Sequence, residues 1–279
     1  MPSSANKPHI HRLIDVPLED RIARIESQIR EQPSGPTHRW ALFQFMCITG
    51  EWTRAMQQLQ IWAKLEPHQT RTAQAYRDLI RAERWRAKVV AGNVCPGFVL
   101  DPPTWTQGLV DALHLAASGQ IEEADRAREA ALEAAPLVST RTPKGVAEWI
   151  ADSDSRFGPV CEFITAGHYR WIPFPDLAEW HVEPPATLLD LIWAPCVLTL
   201  TDGSVVCGFM PARYPGSEGA SEALRLGRET VWQAMGRTGI AALGQKTWAT
   251  DQADFGLFEL AHCEFGPRLG ATDATDACR

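Results

Sequence analysis

Asp152 and Asp154, in "WIADSDSRFGPV" (149–160), are spaced as if for chemistry in this 279-residue sequence. D-x-D pairs hold a divalent cation in several transferases, so one reading is a metal-dependent enzyme. The neighbouring residues favour another. A calcium loop needs an acid or amide at 156 and a glycine at 157, where Arg156 and Phe157 stand. An arginine inside the loop lowers its affinity for a cation. The favoured reading is a self-satisfied polar turn. The aspartates accept backbone N–H bonds, Arg156 pairs with one of them, Gly158 and Pro159 redirect the chain, and Trp149 and Ile150 anchor it in a core. No metal or other cofactor is then expected, and the metal enzyme stays as the alternative.

No other pattern supplies a catalytic group. The eight histidines are scattered without H-E-x-x-H spacing. G-x-S-x-G, G-x-G-x-x-G and P-loop motifs do not occur. The seven cysteines (47, 95, 161, 196, 207, 263 and 278) form no C-x-x-C and stand mostly among apolar residues, as buried thiols in a reducing compartment would.

Two sets of residues are candidates for touching a partner. Arg77, Arg81, Arg84 and Lys88 fall along one face of an expected helix, either to meet an acidic partner or as a solvated face. Arg213 and Tyr214 precede a Pro215-Gly216 turn in "PARYPGSEG". They make a cationic, aromatic loop that could contact a ligand. The competing reading has Arg213 pairing with Asp152 or Asp154 and pinning two segments together. The eleven tryptophans fall mostly at regular positions in expected helices and strands, so most of them, such as Trp193, are assigned to the core.

The bulk properties set limits. A net charge of −7 argues against nucleic acid or an anionic membrane as the main partner, since both reward clustered Lys and Arg. The N-terminus has no apolar signal region, and the most apolar stretch, "LLDLIWAPCVLTL", is short and interrupted by Asp190 and Pro195, so neither secretion nor membrane insertion is expected. The expected place is the cytoplasm. Charge is uneven: 16 basic and 16 acidic residues lie in 1–140, and 11 and 18 in 141–279.

The elements that would position these residues change character at the same point. An expected helix runs from Leu18 to about Arg30. Then Gly50, Ala55 and Pro67 repeat the spacing of Gly119, Ala124 and Pro136. Each glycine follows an apolar helix, and each proline closes an amphipathic one. That is the grammar of tetratricopeptide-type helical hairpins, with a glycine turn and an alanine that permits close approach. Another helix is expected between them. After Pro143, "VCEFITAGHYRWIPF" reads as two strands about Ala166-Gly167, and "APCVLTLTDGSVVCGFMP" as a hairpin turning at Asp202-Gly203. "SEALRLGRETVWQAM" reads as a helix capped by Ser221, and "GQKTWATDQADFGLFELAHCEF" as strand pieces. The fold class is α+β: a disordered tail over 1–15, a tetratricopeptide-like helical domain over 16–140, an α+β domain with antiparallel strands over 141–266, and a second tail over 267–279.

Five stretches in order carry a resemblance: "ALFQFMCITGEWTRAMQQL", "WIADSDSRFGPVCEFITAGHYRWIPF", "LLDLIWAPCVLTLTDGS", "PARYPGSEG" and "GQKTWATD". From about residue 18 to 265 the sequence resembles the ImpE/SciE/TagJ accessory proteins of type VI secretion. The resemblance makes Trp149, Asp152, Asp154, Arg156, Gly158, Pro159, Trp193, Pro215, Gly216 and Gln245 motif positions. It implies a cytoplasmic, non-enzymatic protein that binds a helical segment of the small contractile-sheath subunit and links it to sheath disassembly by the ClpV unfoldase. It carries over no catalytic residue. Helical hairpins fit that role, because they build grooves that hold a partner helix.

Overall fold

In the computed structural model, residues 16–266 are described; the two tails, with His9, His11 and Cys278, lie outside them. Helices come first: α1 (Leu18–Glu31), α2 (Pro36–Ile48), α3 (Trp52–Leu65), α4 (Thr70–Val90), then a short strand β1 (Gly97–Phe98), α5 (Thr104–Ala117) and α6 (Ile121–Ala134). Strands β2 (Thr140–Thr142), β3 (Gly145–Ala147), β4 (Ile150–Asp152), β5 (Val160–Thr165), β6 (His168–Pro173), β7 (Leu177–Val182), β8 (Trp193–Leu200) and β9 (Val205–Pro211) follow. The described residues finish with a one-turn α7 (Glu222–Arg225), β10 (Thr230–Met235), β11 (Gly239–Gly244), β12 (Thr247–Thr250), β13 (Asp254–Gly256) and β14 (His262–Phe265).

The two hairpins that the glycine–alanine–proline spacing predicts are α2–α3 and α5–α6. Gly50 and Gly119 turn the chain at φ +72° and +79°, a left-handed backbone that disfavours any side chain. Ala55 and Ala124 are buried, and Pro67 and Pro136 stand just past the second helices. Helix α4 is the expected intervening helix. It buries Ala73, Leu79, Ile80, Ala82, Arg86 and Val89, of which 79, 82, 86 and 89 follow steps of three, four and three along one face.

Nine strands form the main sheet, in the order β1-β6-β5-β9-β8-β7-β14-β2-β3. The pairings are antiparallel except β1 with β6, which ties the helical part into the sheet. A three-stranded sheet β13-β12-β4 and a two-stranded ribbon β10-β11 complete it. The hairpins at Ala166-Gly167 and Asp202-Gly203 are those expected. One expectation fails. Ser221 does cap a helix, accepting from Leu224 N at 3.3 Å, but the helix stops at Arg225. Gly227, at φ +60°, breaks it, and the β-forming Thr230-Val231-Trp232 then goes into a strand.

Strand β5 shows how the layers meet. Its residues alternate: Val160, Glu162 and Ile164 on the side of α4, and Cys161 and Phe163 on the opposite side. The first set joins a core cluster containing residues of α1 to α6 with Trp171, Trp193 and Tyr214. The second joins a core under β7, β8 and β14, where Trp180 and Trp248 lie 4.9 Å apart. Residues 16–140 and 141–266 therefore share the first core. Most tryptophans are core as expected, but Trp149 is only half-buried, and Trp85 and Trp232 are exposed.

Candidate functional site

Glu162 is an acid in the middle of an apolar strand, and full burial obliges it to find partners. It finds three. Arg86, 1% exposed and projecting from the buried stripe of α4, makes a bidentate pair, Nε to Oε1 and Nη2 to Oε2, both at 2.7 Å. Lys246 Nζ lies 2.8 Å from Oε2, and the Tyr169 hydroxyl donates to Oε1 at 2.6 Å. Arg86 also donates to Glu83 at 3.0 Å and to the Arg213 carbonyl at 3.1 Å. Glu83 in turn accepts from the Trp193 indole at 3.1 Å.

Lys246 joins this network to the D-x-D turn. Its ammonium pairs with Asp152 as well as Glu162. It sits 4.9 Å from the ring centroids of Phe157 and Tyr214 and 5.4 Å from that of Trp248, so aromatic faces complete its surroundings. Asp152 also accepts from the Tyr214 hydroxyl at 2.7 Å and from Asp154 N at 3.0 Å. Asp154 is held by Arg156, whose Nε is 2.9 Å from Oδ1, and by Ala242 N at 2.9 Å.

Burial opposes the charge on Arg86, but the carboxylates of Glu162 and Glu83 outweigh it and hold its pKa above the ordinary value. Burial alone would raise Glu162; Arg86 and Lys246 reverse the sign and keep it below the usual carboxylate range. Asp152 has a weaker share of cations. Burial pushes it up to about 6, against the pull of Lys246 and reinforced by Asp154 and Glu162. Burial disfavours the charge of Lys246, and Asp152 and Glu162 more than restore it. Both D-x-D carboxylates are thus engaged by protein cations and amides. Among the described residues, no group of three or more His, Cys, Asp or Glu is arranged to hold a metal ion.

Part of the expected polar turn is seen, in Asp154 with Arg156, Gly158 at φ +54° and the Pro159 carbonyl accepting from Phe174 N at 3.0 Å, but the turn is not self-satisfied, since Asp152 is held by Lys246 and Tyr214 from far along the chain. Arg213 does something other than expected. It does not pair with Asp152 or Asp154. It donates to the carbonyls of Ile48 at 2.7 Å, Cys47 at 3.0 Å and Arg225 at 2.8 Å, and so caps the C-terminus of α2, where a cation is favoured. Burial lowers its pKa, since these main partners are carbonyls. Arg213 and Tyr214 are both buried, so neither belongs to a partner-facing surface. Gln245 forms an isolated bridge with Arg213, and Gly216, at φ +91°, turns the chain after Pro215. Four cysteines are buried as expected, but Cys95 and Cys207 are exposed.

The outward basic row stays at the surface. Arg81 pairs with Asp78 at 3.0 Å, Arg84 reaches Thr53 at 3.2 Å, Arg77 reaches Gln74 at 3.4 Å, and Lys88 lies over the Trp85 ring. Two depressions flank this side of α4 and meet at Gly167 in the β5–β6 turn. An apolar one, of about 450 Å³, has Ala75, Asp78 and Leu79 as its wall and Pro195, Val197 and Phe209 in its floor. The other, of about 440 Å³, is lined by Arg81, Trp85, His168 and Arg170.

Residues 145–264 match the family described as "ImpE protein". Over 251 residues the sequence is 38% identical to the type VI secretion system accessory component TagJ of Pseudomonas aeruginosa, covering 90% of this chain and 88% of that one. The chain belongs to the ImpE/TagJ family. The crystal structure of protein VPA1032 from Vibrio parahaemolyticus has the same fold, with a TM-score of 0.84, 24% identity, and coverage of 90% of this chain and 95% of that one. The ImpE match runs from β3 to β14, so it contains Asp152, Asp154, Glu162 and Lys246 but not Arg86. In this ImpE/TagJ protein the buried network is therefore completed from the helical part. Sequence reasoning missed Glu162, Lys246 and Arg86. The signals were an acid inside "VCEFI" and an arginine in phase with the apolar stripe of α4.

Proposed function

We propose that this protein is a non-catalytic adaptor of a bacterial type VI secretion system, working on the cytoplasmic side. In this reading it binds a helical segment of the small contractile-sheath subunit and links it to ClpV-driven disassembly. The observation that carries the reading is the 38% identity to TagJ over nearly the whole chain. The geometry supplies a seat for a helix beside α4. An apolar ridge fits the depression floored by Pro195, Val197 and Phe209. Acidic residues on its flank meet Arg81 and Arg170 in the neighbouring one, and Arg77, Arg84 and Lys88 extend the basic edge. The buried carboxylates support the non-catalytic part, because each is already engaged inside the protein.

Calorimetric titration with a peptide of the sheath subunit's N-terminal helix tests this. Micromolar affinity is expected. Ala75→Arg, at an exposed position on the groove wall, should weaken it about tenfold or more without lowering the melting temperature. Absence of binding up to high micromolar peptide would overturn the peptide reading. Unchanged affinity in Ala75→Arg would move the seat elsewhere.

A further inference from the structure

The β10–β11 ribbon is the part of the surface with least reason to be left bare. β10 has one neighbour, β11, and its other edge pairs with nothing in the sheet order. Every residue from Val231 to Arg237 is exposed. Val231, Trp232, Met235 and Ile240 are 43–48% exposed, and Ile121 lies against Gly236 beside them. Four of the ten large apolar side chains exposed among the described residues thus lie on this one hairpin, and a fifth stands beside it on α6. A free edge is ordinarily protected by Lys, Pro or an inward charge. Thr230–Met235 contains none of these.

The charges that flank the strand are placed for self-recognition. Glu229 precedes it and Arg237 follows it, equidistant from Gln233. In an antiparallel pair, directly opposed residues share a face, so a twofold axis must pass beside a residue. With the axis beside Gln233, Val231 of one copy lies opposite Met235 of the other, and Trp232 opposite Ala234. The same register brings Glu229 of each copy toward the Gly236–Thr238 turn of the other, which carries Arg237, at both ends. An axis beside Trp232 would leave both charges without a partner. Arg237 is already tied by Nη1 to Glu129 at 2.9 Å but keeps 60% of its side chain exposed, so it can take a second carboxylate. We infer that two copies of this chain associate edge to edge through β10, forming a four-stranded antiparallel ribbon centred on Gln233. This surface is independent of the proposed sheath seat beside α4.

Sedimentation velocity of the full chain tests the proposal, over about 1 to 300 µM, the range in which a modest interface is populated. A concentration-dependent dimer is expected, and a monomer throughout overturns it. Trp232→Ser, Glu229→Arg and Arg237→Glu should each weaken the dimer about tenfold. The two charge variants mixed in equal amounts should recover it, because each then meets an opposite charge at both ends. A dimer unmoved by all three, or a mixture no tighter than its parts, places the interface elsewhere and overturns the assignment. Arg237→Glu sets a second acid beside Glu129 and could disturb the turn. Hydrogen exchange on the unmodified chain therefore gives a separate check: protection at the outward amides of 231–235 should rise with concentration, and constant exchange overturns the proposal.

Discussion

Helix α4 carries basic side chains on two sides, and they do different things. Arg77, Arg81, Arg84 and Lys88 face outward, where water and short neighbouring contacts serve them. Arg86 faces inward and closes a network that joins α4 to β5, to Lys246 just before β12, and through it to Asp152 at the end of β4. The difference is one of helical phase. Arg86 stands four residues after buried Ala82 and three before buried Val89, so folding carries it into the sheet whatever its charge. Residue type alone points to the outward row as the functional feature and gives no sign of Arg86. Charge on a surface is available for recognition, whereas charge in a core has been committed to holding two parts of a chain in register.

Several substitutions test that contrast. The largest effect is expected from Arg86→Met. It leaves Glu162 and Glu83 inside with too few donors, and removing one partner of a buried pair costs roughly 3–5 kcal/mol. Urea unfolding would measure it; a loss no greater than that of Arg81→Met would erase the distinction between the two faces. Next is Arg213→Lys, which cannot reach three carbonyls with the same planar fork and should cost roughly 1–3 kcal/mol. An unchanged melting temperature would show that the α2 terminus does not depend on it.

The pH dependence is a finer test. Asp152 holds its proton more tightly in the fold, at about 6, than at its ordinary 3.8. Its contribution is therefore fully present below about pH 4 and is lost as pH rises through 6. Glu162, held below its ordinary 4.5, has the opposite sign, with stability present above that value and lost as the pH falls. From about pH 7 to 5 the unmodified protein should gain melting temperature relative to Asp152→Asn. Parallel curves would show that Asp152 does not titrate there. The smallest effect is expected from Arg84→Ala, which should change stability by less than about 0.5 kcal/mol. If Arg84 serves a partner, the substitution should show instead in a shallower salt dependence of peptide binding.

The helical hairpins were legible because Gly50 and Gly119 each mark a left-handed turn and the alanines and prolines follow at fixed offsets. The strands about Ala166-Gly167 and Asp202-Gly203 were legible because turn chemistry brackets alternating residues. "SEALRLGRETVWQAM" misled because its first half is rich in helix formers, and the break at Gly227 outweighs them. The site was less legible. Spacing picks out Asp152 and Asp154, but their partners arrive from far along the chain: Lys246 is 94 residues from Asp152, and Arg86 is 76 from Glu162. Nothing local announces which cation meets which acid. Arg213 shows the same limit, since two of its three acceptors are carbonyls 165 and 166 residues away, and carbonyls have no sequence signature.

That long separation has a consequence for the order in which the protein is made. Synthesis proceeds from the N-terminus, so α4 leaves the ribosome with Arg86 long before Glu162 exists, and β1 leaves before its partner β6. Until β5 and β6 follow, the nascent helical half carries a guanidinium among apolar residues and an unmatched strand. It must wait, partly open, for the second half to complete it. A ribosome stalled between α6 and β5 would therefore display a fragment fit for chaperones or proteases rather than a finished repeat domain.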